Sequence, residues 1–377
     1  MIYLDNNATT PIFPEILNKL KEWGEIFGNP SSIHSLGQKS RKEIEKARLF
    51  LSEVFQADTE EIIFNSGATE GNNTIIRGLV EAYPDKNEII VSPIEHKSVL
   101  NPIKFLAKKG YKVKFLRIDK NGLIDLDDLK KKISKKTLFV SVIHTNNETG
   151  VIQDINAIYE ICKEKEVLFF SDIVQGFLKE DIDFKKIDFF TLSGHKFNAP
   201  KGIGIMKRDK SKKLTPLLFG GGQEFSIRSG TENIIFILAI VEAIKTWLEK
   251  RDLFINHLKE LKKLFIEELK KAIPNIHIVS ENVKTAPHTV NIIFPNIRAQ
   301  DLVLFLNKNG IYVSSGSACS SGSLSPSHVL LAYGYSEKES LSSIRFSFGV
   351  NNKIKDVYKT VEALKEGIDK LYKFGLN

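Results

Sequence analysis

The chain has 377 residues, 42% of them hydrophobic and 27% charged, with a formal net charge of +8, an ordinary balance for a globular protein with enough core for two domains. The basic excess is spread over short runs such as Lys130-Lys131-Lys132, Lys135-Lys136 and Lys212-Lys213, a solvated-face pattern that speaks against direct nucleic-acid binding and leaves room for an acidic partner protein. Two cysteines, Cys162 and Cys319, exclude a disulfide framework and a cysteine-built metal site, and the lack of a long apolar run or a basic-then-apolar leader predicts no membrane span and a reducing cytoplasm.

Asp5-Asn6-Asn7-Ala8-Thr9-Thr10-Pro11 is a turn-rich opening. A proline-started helix is predicted over 14–27, Gly28-Asn29-Pro30 breaks it, and 35–55 has the spacing of a long amphipathic helix. From Glu61 short apolar strands alternate with amphipathic helices. The strands are predicted over 62–64, 89–92, 113–118, 138–143, 167–171, 189–192 and 203–206, the helices over 70–82, 98–109, 126–133 and 155–165. This alternation predicts an α/β fold with a mostly parallel sheet, whose ligands sit beyond the carboxyl ends of the strands. Beyond Gly230 the pattern reads as helices over 233–250 and 257–272, a strand over 290–293, a helix over 299–308, a strand over 311–313, a serine-glycine loop and a strand over 342–348. That mixture predicts a smaller α+β domain completed by the extreme N-terminus. The expected division is 15–255 for the large domain, with 1–14 and 256–377 forming the small one.

The residues after each strand carry the chemistry. Asn65-Ser66-Gly67-Ala68-Thr69-Glu70 leads into a helix, where backbone amides and the Thr69 hydroxyl can approach a phosphate. The spacing matches neither a Walker loop nor GxGxxG. Glu95-His96-Lys97 offers an imidazole able to stack on a flat ring or carry protons. His144-Thr145-Asn146-Asn147 offers amide donors, and Asp172, with Gln175 beyond it, ends an apolar run. A carboxylate there needs a partner, and a protonated ring nitrogen is one. Ser193-Gly194-His195-Lys196 follows the next strand; a desolvated lysine amine is the nucleophile that Schiff-base chemistry requires. Singly these are a helix cap, a core histidine and a surface lysine. Together they are the phosphate seat, ring stacker, pyridinium partner and lysine of a pyridoxal phosphate enzyme.

In these motifs, and in Leu4-Asp5-Asn6-Asn7-Ala8-Thr9-Thr10-Pro11, Gly28-Asn29-Pro30-Ser31-Ser32-Ile33-His34, Gly220-Gly221-Gly222-Gln223-Glu224, Arg228-Ser229-Gly230-Thr231-Glu232-Asn233 and Ser314-Ser315-Gly316-Ser317-Ala318-Cys319, the chain resembles the cysteine desulfurases of the NifS/IscS type nearly end to end. The resemblance implies the class-V aminotransferase-like architecture, fold type I of the pyridoxal 5'-phosphate enzymes. It implies that Lys196 holds the cofactor covalently, that His96 stacks on its ring, that Asp172 pairs with the ring nitrogen and that Gln175 faces the phenolic oxygen. Ala68, Thr69, Ser193 and His195 would hold the phosphate, with Thr231 arriving from the second subunit of a homodimer. Asn147 and Arg345 would position the carboxylate of L-cysteine. Lys196 would move the Cα proton, and Cys319, on a loop of the small domain, would take the sulfur as a persulfide while L-alanine leaves, His96 or a nearby cation helping to form the thiolate. The implied acceptor is a NifU/IscU-like scaffold protein on which iron–sulfur clusters are assembled; the persulfide would meet the cluster there, with no resident metal. The chain departs from the family at Ile173-Val174 and Asn198-Ala199, beside the expected cofactor. The alternatives are a SufS-like desulfurase or selenocysteine lyase, another pyridoxal-dependent lyase or aminotransferase, which would have no use for Cys319, and a non-catalytic protein on the same scaffold.

Overall fold

The computed structural model describes residues 1–315 and 325–373. The chain opens with β1 (Ile2–Tyr3), and α1 (Pro14–Gly24) follows, its proline placed where a missing amide costs nothing. α1 stops short of the predicted end because the apolar spacing stops at Trp23, the last residue it buries. α2 (Ser35–Phe55) is capped by the His34 ring, which accepts from the Gly37 amide. Phe55 at its end packs on Phe177, Phe184 and Phe190 with ring centroids 5.5, 5.2 and 5.1 Å apart, so α2 is held down on the sheet by aromatic contact.

The central sheet has seven strands: β2 (Ile62–Asn65), β3 (Glu88–Val91), β4 (Lys112–Phe115), β5 (Thr137–Ser141), β6 (Leu168–Asp172), β7 (Phe189–Ser193) and β8 (Gly204–Arg208), in the order β2-β8-β7-β6-β5-β3-β4. The pairs from β7 through β4 are parallel, and β8 is antiparallel to both its neighbours. The reversal follows from the short turn between β7 and β8, since a parallel return needs a longer crossover. The crossover helices are α3 (Ala68–Ala82), α4 (Lys97–Lys108), α5 (Leu126–Lys132) and α6 (Ile155–Glu164). β2, β5 and β7 are buried along their whole length, as a sheet covered on both faces requires.

α7 (Ile234–Glu249) packs on α1 and α2, and α8 (Arg251–Ala272) leads into a second, four-stranded sheet. Its strands are β9 (His277–Ile278), β10 (Thr289–Ile293), β12 (Ser314–Ser315) and β13 (Ser343–Ser347), ordered β12-β13-β10-β9, while β11 (Ile311–Tyr312), reached through α9 (Ala299–Lys308), pairs in parallel with β1. The N-terminal strand thus joins the C-terminal part of the chain through β11. Three helices were not predicted: α10 (His328–Ala332), α11 (Glu337–Leu341) and α12 (Ile354–Lys373). The last buries Val357, Val361, Leu364, Ile368 and Leu371, a helical stripe, and packs on α8 and α9. Among the described residues no helix is long and apolar enough to cross a membrane.

Candidate active site

The carboxyl ends of β2, β5, β6 and β7, together with His96 beyond β3, surround a cavity of about 380 Å3. β2 enters α3 through Ser66 and Gly67. Gly67 has φ +149°, and a Cβ there would sit 3.3 Å from Ser193 Oγ; a Cβ on Gly204 would lie 2.5 Å from the Gly67 Cα. The turn is therefore packed tightly against the ends of β7 and β8, and only glycines fit. No side chain caps α3, and its first residues, Ala68, Thr69 and Glu70, line the cavity. An uncapped helix start beside the Thr69 and Ser193 hydroxyls is an anion seat. His195 joins it, with Nδ1 3.2 Å from Thr9 Oγ1. Burial, then Lys196 and Lys201, push the His195 pKa down to about 4, so at neutral pH it offers a hydrogen bond and no charge.

Asp172 ends β6, 4% exposed. One oxygen accepts from the Val174 amide at 3.1 Å, the other from Asn72 Nδ2 at 2.9 Å. His96 caps α4 by accepting the Ser98 amide on Nδ1, and it also lines the cavity. Burial holds its imidazole below the ordinary pKa, against the pull of Asp172.

Lys196 stands in a single turn after β7. Its Nζ donates to the carbonyls of Asn7 at 2.6 Å and Ala8 at 2.8 Å, and Gln175 Nε2 donates to the same Asn7 carbonyl at 3.0 Å. The backbone carbonyl of Lys196 accepts from Lys179 Nζ at 3.1 Å; burial first, and Lys196 second, push the Lys179 pKa down to about 7. Arg345, 3% exposed in the middle of β13, pairs with Asp5 at 2.7 Å and donates to the Asn147 carbonyl at 2.9 Å, leaving Nε buried with no partner among the described residues.

The structure therefore brings Ala68, Thr69, His96, Asn147, Asp172, Gln175, Ser193, His195, Lys196 and Arg345 to one cavity. Thr231 is exposed and lies outside it, on a segment that follows Arg228. Cys319 lies outside the described residues. At the departures, Ile173 is fully buried and Val174 lines the cavity. Asn198 adopts φ +68°, a conformation asparagine tolerates better than most residues. Its side chain ties the lysine turn to the Pro11 carbonyl and to Trp247 Nε1. The sequence reading assigned no role to Asp5, Asn7, Asn72, Ser98 or Lys179. For Asn72 and Ser98 a signal exists: each is a buried polar residue on the inward face of an amphipathic helix.

The aminotransferase class-V family model matches residues 2–359. The cysteine desulfurase IscS of Dictyoglomus turgidum is 39% identical over 374 residues, covering 98% of this chain and 95% of that protein. The cysteine desulfurase IscS of Methanosarcina thermophila is 40% identical over 374 residues, 98% of this chain and 92% of that one. A solved NifS-like protein superposes with a TM-score of 0.92 at 34% identity, over 98% of this chain and 100% of the other. The chain belongs to the aminotransferase class-V family, among its cysteine desulfurases of the IscS and NifS type.

Proposed function

We propose that this cavity holds pyridoxal 5'-phosphate and converts L-cysteine to L-alanine, the sulfur passing to Cys319 and then to an iron–sulfur scaffold protein. The observation that carries the reading is the meeting, in one cavity, of an uncapped helix start, the Asp172 carboxylate and the Lys196 amine. The cradle at Gly67, which a Cβ would fill, suits a phosphate. A buried carboxylate opposite suits a protonated ring nitrogen, and the donor set therefore fits the cofactor. Bound there, the cofactor supplies a covalent anchor for an amino group and an electron sink for bond breaking at the substrate Cα.

The roles of the chain's own residues follow. The start of α3, Thr69, Ser193 and His195 would hold the phosphate, and Thr231 of a second copy would complete the seat. Asp172 would keep the ring nitrogen protonated, His96 would lie against the ring and Gln175 would offer its amide to the phenolic oxygen. Arg345 and Asn147 bind the substrate carboxylate; the buried Nε of Arg345 has capacity for it. Lys196 Nζ would hold the cofactor, and its amine would then carry the substrate's Cα proton. The Cys319 thiolate attacks the substrate sulfur: an S–S bond forms, the Cβ–S bond breaks, and the carbon skeleton takes up protons to leave as alanine. The net change is cysteine plus enzyme thiol giving alanine plus enzyme persulfide. Phe27, Ile33 and Phe219, 74%, 91% and 77% exposed, support a homodimer, because apolar groups that large are costly to leave in water.

The test is product analysis. The protein loaded with pyridoxal phosphate and given L-cysteine with a thiol reductant should release alanine and sulfide in equal amounts, and Lys196→Ala should release neither. Pyruvate and ammonia, or an amino group moved to a keto acid, would replace this reading with a lyase or an aminotransferase.

A further inference from the structure

Hydrogen-bond directions around His96 can be followed from a fixed starting point. The Ser98 backbone amide lies 3.1 Å from His96 Nδ1, and an amide N–H can only donate, so Nδ1 carries a lone pair. Ser98 Oγ is 2.7 Å from the same nitrogen. Because Nδ1 carries no proton, the Ser98 hydroxyl must donate to it, while the same oxygen accepts from Asn72 Nδ2 at 2.8 Å. Asn72 cannot be turned the other way round. Its Nδ2 is 2.9 Å from Asp172 Oδ2, and its Oδ1 is 2.5 Å from Thr191 Oγ1; a reversed amide would press oxygen against a carboxylate oxygen. Asn72 is fully buried and Ser98 is 9% exposed, so water competes little for these bonds.

We propose that Asn72 and Ser98 are positioning residues that hold His96 as the neutral imidazole protonated at Nε2, making it a hydrogen-bond donor to the cavity and not a base. Two donors occupy Nδ1, and Nε2 already carries its proton, so neither nitrogen is available to take one from a thiol. His96 then stabilises developing negative charge on sulfur or oxygen by donating from Nε2, as a neutral imidazole can. The inference deepens the desulfurase reading by correcting the expectation that His96 helps to deprotonate the attacking thiol, which leaves that task to another group. Burial of the ring points the same way, with Lys196, Lys97 and Arg345 opposing its protonation and Asp172 favouring it.

Long-range proton–nitrogen spectra of 15N-histidine-labelled protein, with and without pyridoxal phosphate, read the tautomer directly and do not depend on turnover. They therefore fail or succeed separately from the product assay. Wild-type His96 should show the Nε2–H pattern through neutral pH. Ser98→Ala should move its titration to higher pH and lower kcat about five- to tenfold at unchanged KM, the worth of one hydrogen bond, and Ser98→Thr should restore both. An Nδ1–H pattern or an imidazolium in the wild type at neutral pH would overturn the proposal whether or not the variants fold. So would a Ser98→Ala titration identical to the parent's.

Discussion

A carboxyl group as buried as Asp172 needs hydrogen-bond donors, and here the Val174 amide and Asn72 supply them. A third partner, the ring nitrogen, would give it a reason to be there at all. Asp172→Ala should lower turnover at saturating cofactor by about a hundredfold or more, the value of a charge-assisted bond felt in the transition state; a rate within threefold of the parent would remove Asp172 from the reaction. Glu148 makes a different point. It is 5% exposed and accepts from Ser327 Oγ at 2.5 Å, yet burial raises its pKa to about 7 from 4.5. Its folded-state pKa is raised, so between about pH 4.5 and 7 the folded protein holds more protons than the unfolded one. Stability from this group is therefore present below that window and falls as pH rises through it, by on the order of 3 kcal/mol. His144 and His195, each pushed down to about 4, act with the opposite sign, which makes a comparison of variants the clean experiment. Glu148→Gln keeps an acceptor for Ser327 without the charge. In urea titrations it should gain stability relative to the parent at pH 8 and none at pH 4.5.

At the scale of elements, the segment bearing Thr231 is fastened by charge. Glu224 forms a two-point pair with Arg48 of α2, at 3.0 and 2.6 Å, and also accepts the Phe64 amide of β2 at 2.8 Å. The Arg48 guanidinium lies 4.9 Å from the rings of both Phe64 and Phe225, and further along Arg228 pairs with Glu70 of α3 at 2.9 Å. Both Arg48 and Glu224 are buried. Arg48→Met should thus cost about 3–5 kcal/mol of unfolding free energy by stranding the Glu224 charge, and Arg48→Met with Glu224→Leu should cost less. Equal losses would mean that the pair's charges do not matter. The elements also show what a sequence makes visible. Each apolar strand is followed at once by its polar cluster, so Ser66 to Glu70, His96, Asn147, Asp172 and Lys196 could be assigned to one end of one sheet before any coordinates. Asn7 and Ala8 could not, because they hold the Lys196 amine with backbone carbonyls, which every residue possesses. Asp5 could be recognised as part of a motif but not as the partner of Arg345, 340 residues away. The direction of β8 depends on the length of a turn, which apolar periodicity does not report.

For the whole molecule, the cavity draws on both sheets: Asp172 and Lys196 come from the large one and Arg345 from the small one, while the N-terminal segment joins them through Asp5 and Asn7. With Thr231 exposed on the same segment as Phe219, a second copy is expected to cover this face. Sedimentation should show a dimer at assay concentration, and Phe219→Asp should lower dimer content and activity together; a fully active monomer would contradict it. The central claim is that sulfur moves from cysteine to one particular thiol. Cys162 is a buried free thiol whose ionisation burial opposes, and it sits on the inner face of α6, a poor nucleophile. Peptide mass spectrometry after L-cysteine treatment without reductant measures the transfer directly. One added sulfur is expected on Cys319, none on Cys162, and no alanine from Cys319→Ser. Added sulfur on Cys162 alone, or full alanine production by Cys319→Ser, would contradict that claim.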